Sequence, residues 1–303
     1  MTKEKWRGHL AIIATNCIFG LNTPIAKSFV PAWISPYALT FVRMAFATLI
    51  FWSVSCFFPK EKIAPRDFFI IFFGSLFGLV GAQLSFAHAL LYTSPVNISI
   101  IAAMTPVAVM LLAAIILKEP ITLKKSIGVI IGASGALLII LQSTAISTSK
   151  ASCLLGNLLC IVNVITYALY LVITRPISQH YSPITLMKWM FLFSAILSCP
   201  LGLQPLMEAK IFSVDTNIYA LLRLSYTVIM ATGIAYFLVP MGLKRIRPTT
   251  ASMYNNLQPI LASAIAIFIG QDRFTWDKPL AACLVFLGVY LVTQSRAKEE
   301  GKP

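Results

Sequence analysis

Ten long apolar runs take up most of this 303-residue chain, and they set what it can fold into. They cover about residues 8–29, 36–58, 68–92, 95–117, 124–142, 152–174, 183–203, 218–241, 248–270 and 279–294. A helix needs roughly 20 mostly apolar residues to cross the hydrocarbon core of a bilayer. Water is absent there, so a continuous apolar run must pair its own backbone groups, which a helix does. The expectation is an all-α membrane protein with ten transmembrane helices. Composition agrees: 58% of residues are hydrophobic and 11% are charged, against about 25% charged in a soluble domain. The loops are short, and the longest, about 204–217, cannot fold alone, so no soluble partner domain is expected. The first run is too long for a signal-peptide core and reads as a retained helix.

A net charge of +14 raises the question of nucleic acid. That reading needs a basic patch on one folded surface. Here the basic residues are dealt out among alternate loops instead. The amino end carries Lys3, Lys5 and Arg7, and later loops on the same side carry Lys60, Lys62 and Arg66, then Lys118, Lys124 and Lys125, then Arg175. Lys244, Arg245 and Arg247 follow, and the tail adds Arg296, Lys298 and Lys302. The other loops hold only Lys27, Lys150, Lys210, Arg273 and Lys278. Lys/Arg-rich loops stay cytoplasmic, so both termini are expected in the cytoplasm. The partners implied are the lipid bilayer and a small molecule, with no nucleic acid. The six cysteines lie in or beside apolar runs without a C-x-x-C pair and read as small apolar residues.

A repeat lies within the pattern. "SPVNISIIAAMTPVAVMLLAAIILKEPIT" and "RPTTASMYNNLQPILASAIAIFIGQDRFT" superpose without a gap at a shift of 153 positions. Pro95 then falls on Pro248, Pro106 on Pro259, Glu119 on Asp272, Thr122 on Thr275 and Gly135 on Gly288. Upstream, Ser35-Pro36 resembles Ser182-Pro183, and Lys27 resembles Arg175 at a similar helix end. The domains expected are residues 1–142 and 152–294, five helices each, with 295–303 as a cytoplasmic tail. Five is odd, so the second half enters the membrane from the opposite side. Such inverted repeats build two mirror-related gates around a central site, the architecture of alternating access.

The Pro-centred fourth run ending in "LKEPIT", its echo "GQDRFT", the basic residue in "FVRMAFATL" and the "GALLII"/"GVYLVT" pair resemble the EamA family of the drug/metabolite transporter superfamily. The resemblance spans nearly the whole chain as two EamA-type repeats. It implies ten helices and a central cavity lined by the first, third, fourth, sixth, eighth and ninth. It also implies a bacterial inner membrane and export of amino acids or related metabolites. The family pattern has Glu after the Pro-centred helix in each half, and here the second copy is Asp272.

Polar residues inside the runs are the candidate substrate contacts, because such groups usually face a bundle interior or a water-filled cavity. In the ninth run Asn255, Asn256 and Gln258 precede Pro259, and Ser252, Asn255, Asn256, Pro259 and Ser263 share helical spacing. Pro259 lacks an N–H and frees a carbonyl in the preceding turn, which an amide or a substrate can satisfy. The competing role is helix–helix glue at roughly 1 kcal/mol per amide. The sixth run presents Asn163, Tyr167 and Tyr170, and the first presents Asn16. The third offers Gln83 and His88 on a run otherwise marked by helix-packing glycines, and His88 is either a satisfied structural residue or a proton relay. Arg43 lies about seven residues into the second run. It either bonds backbone carbonyls or meets a substrate carboxylate.

The ten acidic residues all fall in loops, helix ends or tails. Ion-coupled transporters commonly use intramembrane carboxylates, and none is available here. Paired-carboxylate chemistry and metal sites lack ligands on the same ground, and no phosphate-cradling Gly-rich loop appears. No catalytic residue, metal or cofactor is expected. The leading reading is a secondary transporter, with a small-molecule channel and an intramembrane enzyme as the alternatives.

Overall fold

The computed structural model describes residues 3–93, 98, 101–144, 154–213, 217–261 and 276–297. Helix α1 spans Lys3–Lys27, α2 Pro36–Ser55, α3 Pro65–Tyr92, α4 Thr105–Ile116 and α5 Leu123–Thr144. Helix α6 spans Leu154–His180, α7 Pro183–Met207 and α8 Ile218–Leu243. Helix α9 begins at Pro248–Met253, tightens into a 3₁₀ turn over Tyr254–Asn256 and returns to helix through 257–261. Helix α10 spans Asp277–Ala297. Among the described residues, α1, α2, α3, α6, α7 and α8 are long and apolar enough to cross a membrane, and no strand occurs. The outer faces carry the apolar side chains a bilayer accepts, such as Leu49, Ile115 and Leu154. Lys150, Ser263, Asp272, Arg273 and Thr275 lie outside the described residues.

Local chemistry places the helix starts. Ser35 caps α2 by accepting from the Ala38 N–H, and Ser182 caps α7 by accepting from the Thr185 N–H. A proline follows each cap, where its missing N–H costs nothing and its fixed φ suits the first helical turn. The helix ends are tied as well. Lys27 donates from the end of α1 to the Leu90 carbonyl in the last turn of α3. Arg175 donates from α6, five residues before its end, to the Leu243 carbonyl in the last turn of α8. Cations at helix C-termini satisfy carbonyls left without partners.

Helices α5 and α10 pack most extensively, followed by α2 with α7, and α3 and α1 lie against α6 and α8 respectively. In the α5–α10 contact a Cβ on Gly288 would stand 2.6 Å from the Gly128 carbonyl oxygen and 2.7 Å from the Gly132 Cα. Only glycine permits backbones that close.

Helix α6 runs antiparallel to α3. The Thr93 hydroxyl at the end of α3 donates to Asn157 Oδ1 near the start of α6 at 3.0 Å. At the other end the Tyr181 hydroxyl, just past α6, donates to Asp67 Oδ2 at 2.7 Å and accepts from the Ala64 N–H at 3.2 Å. Helix α8 likewise runs antiparallel to α1, with Arg245 beyond its end paired at 2.8 Å with Glu4 in the first turn of α1.

Helices α3 and α8 each widen into a π turn, at Ser75–Gly81 and Ile229–Ile234. These two segments overlap at the 153-position shift. A π turn frees backbone groups from the i→i−4 pattern and often marks a functional site. Here the Thr232 hydroxyl donates to the Thr227 carbonyl at 2.8 Å. The two widened segments flank the centre of the bundle.

Candidate substrate-binding cavity

A cavity lies between the helices, with about 600 Å³ of atom-free space counted out to its open mouth. Helix α1 contributes Phe19, Asn22 and Thr23 to its wall, and α3 contributes Ala82, Gln83 and Phe86. Asn163 and Tyr167 come from α6, and Tyr236 from α8. Thr105 of α4, with Ala102 just before it, and Asn255 and Gln258 of the α9 segment complete most of the wall. Arg43 of α2 completes the set. The resemblance left α2 off the cavity wall, and Arg43 is its single contribution here.

The Arg43 side chain is 2% exposed and reaches inward between α3 and α8. Its Nε donates to Thr232 Oγ1 at 2.7 Å, Nη1 donates to Gln83 Oε1, and Nη2 lies 3.4 Å from the Ala231 carbonyl oxygen. Gln83 passes the network on by donating from Nε2 to the Tyr236 hydroxyl, which donates to the Gly78 carbonyl at 3.3 Å. One guanidinium thus ties the π turn of α8 to Gln83, two residues past the π turn of α3, and Tyr236 carries the network on to Gly78 within that turn. All these partners are neutral. Arg7–Glu4, Lys125–Glu119 and Arg245–Glu4 form ion pairs, and none of these includes Arg43.

Of the residues singled out in the sequence, Arg43, Gln83, Asn163, Tyr167, Asn255 and Gln258 stand on the wall. Asn163 is turned partly to structure, donating to the Ala82 carbonyl at 2.7 Å. Asn16 stands behind the wall, where it accepts from Gln258 Nε2 at 2.9 Å and donates to the Ile12 carbonyl. Tyr170 is buried against Gly78, whose Cβ would stand 2.3 Å from the Tyr170 ring, and beside Tyr236. His88 is off the wall. Its Nδ1 donates to the Leu84 carbonyl at 2.9 Å, and its ring meets Tyr37 edge-on.

Asn255 and Asn256 part company. Asn255 reaches the cavity, whereas Asn256 is fully buried next to Gly132 of α5, with both amide atoms lacking a partner. Both lie in the 3₁₀ turn ahead of Pro259, where each residue advances about 120° around the axis. Two neighbours therefore cannot face the same way.

Tyr236, on the wall, is the position that the 153 shift pairs with Gln83. Among the residues that the sequence candidates missed are Asn22 on the wall and Thr232 in the Arg43 network. Asn22 lies next to Thr23, which shares helical spacing with Asn16 and Gly20 in the first run. Thr232 depends on a π turn that no residue pattern announced.

The sequence model of the EamA-like transporter family matches residues 6–141 and again 154–294. The chain is 21% identical over 309 residues to YetK, an uncharacterized transporter of Bacillus subtilis, covering 100% of this chain and 92% of the relative. It is 24% identical over 293 residues to an uncharacterized transporter of Archaeoglobus fulgidus, covering 97% and 100%. A WAT1-related protein of Arabidopsis thaliana is 23% identical over 320 residues, covering 97% of this chain and 92% of the relative. A solved crystal structure superposes with a TM-score of 0.75 at 18% identity over 96% of this chain and 98% of its own, a likeness that bears on fold alone. Two family matches in tandem, on helices that enclose a polar cavity, make this chain a membrane transporter of the EamA-like transporter family, within the drug/metabolite transporter superfamily.

Proposed function

We propose that this protein is a secondary transporter that exports amino acids or related small metabolites from a bacterial cell by alternating access. Its ten spans form two five-helix halves, residues 1–142 and 152–294, inserted in opposite senses. Both termini and the tail from 295 lie in the cytoplasm, and the membrane is the inner one. The observation that carries this reading is the polar cavity itself, whose wall draws on helices from both halves. A site on such a boundary changes its open side when the halves rock against each other.

Several pairs of features support the two-half arrangement. The bonds Lys27 to Leu90 and Arg175 to Leu243 join equivalent helix ends, with acceptors 153 positions apart. The π turns of α3 and α8 share that register. The antiparallel pairs α3–α6 and α1–α8 are what opposite insertion requires. The ends carrying Glu4, Lys60, Lys62, Arg66, Lys244 and Arg245 fall on the basic side of the loop count, which favours a cytoplasmic location.

Purified protein in liposomes tests the reading. Labelled amino acids are expected to move with saturable, stereoselective counterflow, and an imposed voltage alone is expected to give no unitary conductance. Non-saturable flux with measurable conductance would make the protein a channel.

A further inference from the structure

Helix α7 carries one basic side chain, Lys188, and no acidic one. Lys188 lies five residues after Pro183, about 8 Å along the helix at 1.5 Å per residue. Trp52 lies three residues before the end of α2, about 5 Å from it by the same rise. The two meet on the outer seam between α2 and α7. The Trp52 indole N–H donates to the Lys188 carbonyl at 3.2 Å, which fixes the ring. The Lys188 ammonium stands 5.5 Å from the centre of that ring and 5.9 Å from the centre of the Trp189 ring. Trp189 in turn meets Phe68 of α3 edge-on at 5.1 Å. Trp52 is exposed on the outer side of the bundle, and Lys188 is half-buried.

Aromatic faces attract a cation but carry no net charge to neutralise it. Among the described residues no carboxylate is paired with Lys188. The acids at this end are turned to the α6–α7 connection: Glu61 accepts from the Ser182 N–H at 3.0 Å, and Asp67 accepts from the Tyr181 hydroxyl at 2.7 Å. Nor does the fold require a charge in the seam. In the register that pairs Ser35-Pro36 with Ser182-Pro183, Lys188 corresponds to Phe41. Phe41 packs on Gly202 at the other end of the same helix pair, where a Cβ on Gly202 would meet it at 2.3 Å. One end of the seam is thus closed by an apolar ring, and the other presents a cation.

We propose that this end of the α2–α7 seam is a binding site for an anionic phospholipid, with the lipid phosphodiester on Lys188 and an acyl chain over Phe46 and Leu49. Depth supports the assignment. The headgroup layer on each side of a bilayer is about 5–8 Å thick, which sets Trp52 and Lys188 at its boundary with the hydrocarbon. Phe46 and Leu49 lie deeper on the face of α2 that Trp52 shares, and both are exposed. A free anion finds only apolar surface there, whereas a lipid covers that surface and supplies the counter-charge. A zwitterionic lipid brings its own cation beside its phosphate, so the site prefers a lipid of net negative charge. The site lies on the outside of the bundle, away from the cavity, and does not depend on what the cavity carries.

The test is quenching of tryptophan fluorescence by phospholipids brominated on their acyl chains. The full chain carries Trp6→Phe, Trp33→Phe and Trp276→Phe, so that emission comes from Trp52 and Trp189. It is placed in phosphatidylcholine vesicles containing a minor share of brominated phosphatidylglycerol, with the same share of brominated phosphatidylcholine as the reference. Phosphatidylglycerol is expected to show a relative affinity about fivefold or more above phosphatidylcholine, the effect of one basic residue against anionic lipid. Lys188→Gln is expected to abolish the preference and Lys188→Arg to retain it. Lys62→Gln removes an equal charge from the exposed connection after α2 and is expected to leave most of the preference. A chain that keeps Trp33 alone, at the opposite end of α2, is expected to report none.

The proposal is overturned if the two lipids quench alike, or if Lys188→Gln keeps the preference. It is also overturned if Lys62→Gln loses as much as Lys188→Gln, because general surface charge then accounts for the effect. Inorganic phosphate that removes the preference when added at the concentration of the lipid assigns the site to a free anion and overturns the lipid. Should a substituted chain not fold, native mass spectrometry of the unsubstituted protein in detergent decides. Retention of phosphatidylglycerol about fivefold or more above phosphatidylcholine is expected, and equal retention overturns the proposal.

Discussion

Gly288→Val is expected to prevent recovery of folded protein, or to lower its melting temperature more than any lipid-facing substitution. The reason is that nothing in its surroundings can rotate away. The Cβ built on Gly288 meets the Gly128 carbonyl oxygen at 2.6 Å and the backbone N and Cα of Gly132 at 2.7 Å. Gly128 is held reciprocally, its Cβ standing 2.9 Å from the Gly288 carbonyl oxygen. A side chain here must push two helices apart and loosen their largest contact. Overpacking a well-packed interior commonly costs about 1–3 kcal/mol, and rigid backbone on the opposing side puts this case at or above the upper end. Gly233→Ala is the control: its Cβ meets only the Val228 carbonyl oxygen, at 3.7 Å, so stability should hold. Size-exclusion profiles and melting curves in detergent measure both. A Gly288→Val protein with the wild-type melting temperature would mean that α5 and α10 do not pack as described.

Glu119→Gln is expected to be nearly as damaging, with a partner substitution that repairs it. Glu119 Oε2 accepts from Lys125 Nζ at 2.8 Å and from the Thr249 hydroxyl at 3.1 Å, and the two charged side chains are only 10% and 5% exposed. This cluster ties the α4–α5 connection to the first turn of α9. Gln retains an acceptor but removes the charge, so Lys125 is left buried and uncompensated. Breaking a buried pair from one side costs about 3–5 kcal/mol, whereas replacing both members by uncharged groups is often neutral. Glu119→Gln combined with Lys125→Met should therefore melt above Glu119→Gln alone. If the double variant melts lower than either single one, the pair is not coupled as the geometry requires. Because the cluster anchors α9, Glu119→Gln is also expected to weaken ligand binding in the cavity, where Asn255 and Gln258 of that segment stand.

The features legible in the sequence are those set by local chemistry or by length. The apolar runs marked where the described residues form helices, six of them long and apolar enough to cross a membrane, because backbone groups in lipid must pair within the chain. Ser-Pro pairs marked the starts of α2 and α7, since a cap and an N1 proline work through adjacent atoms. Lys27 and Arg175 could be matched as helix-end cations before their acceptors were known. Properties that depend on rotation about a helix axis were not legible. A regular 3.6-residue pattern put Asn255 and Asn256 on one face, and a 3₁₀ turn ahead of Pro259 separates them. Tyr170 had the spacing of a wall residue, yet the absence of a side chain at Gly78 draws its ring into the packing. Arg43 could be read as structural or as substrate-facing, and it has features of both. Its three hydrogen bonds join the π turn of α8 to Gln83 just past that of α3, and it still borders the cavity with no carboxylate paired to it among the described residues. Thr232 completes that arrangement only because α8 widens by one residue, a long-range outcome that no local pattern encodes.

The central claim is that the polar cavity is the route of the transported solute. Ala102 lines it, and Ile115, 75% exposed on the outer face of α4, does not. The direct measurement is amino-acid counterflow in liposomes carrying wild type, Ala102→Trp or Ile115→Trp, each first shown to have a wild-type size-exclusion profile. Saturable counterflow is predicted for wild type and Ile115→Trp, and its loss for Ala102→Trp, whose indole fills the space a solute must cross. Wild-type counterflow in a folded Ala102→Trp protein would contradict the claim and place the route elsewhere.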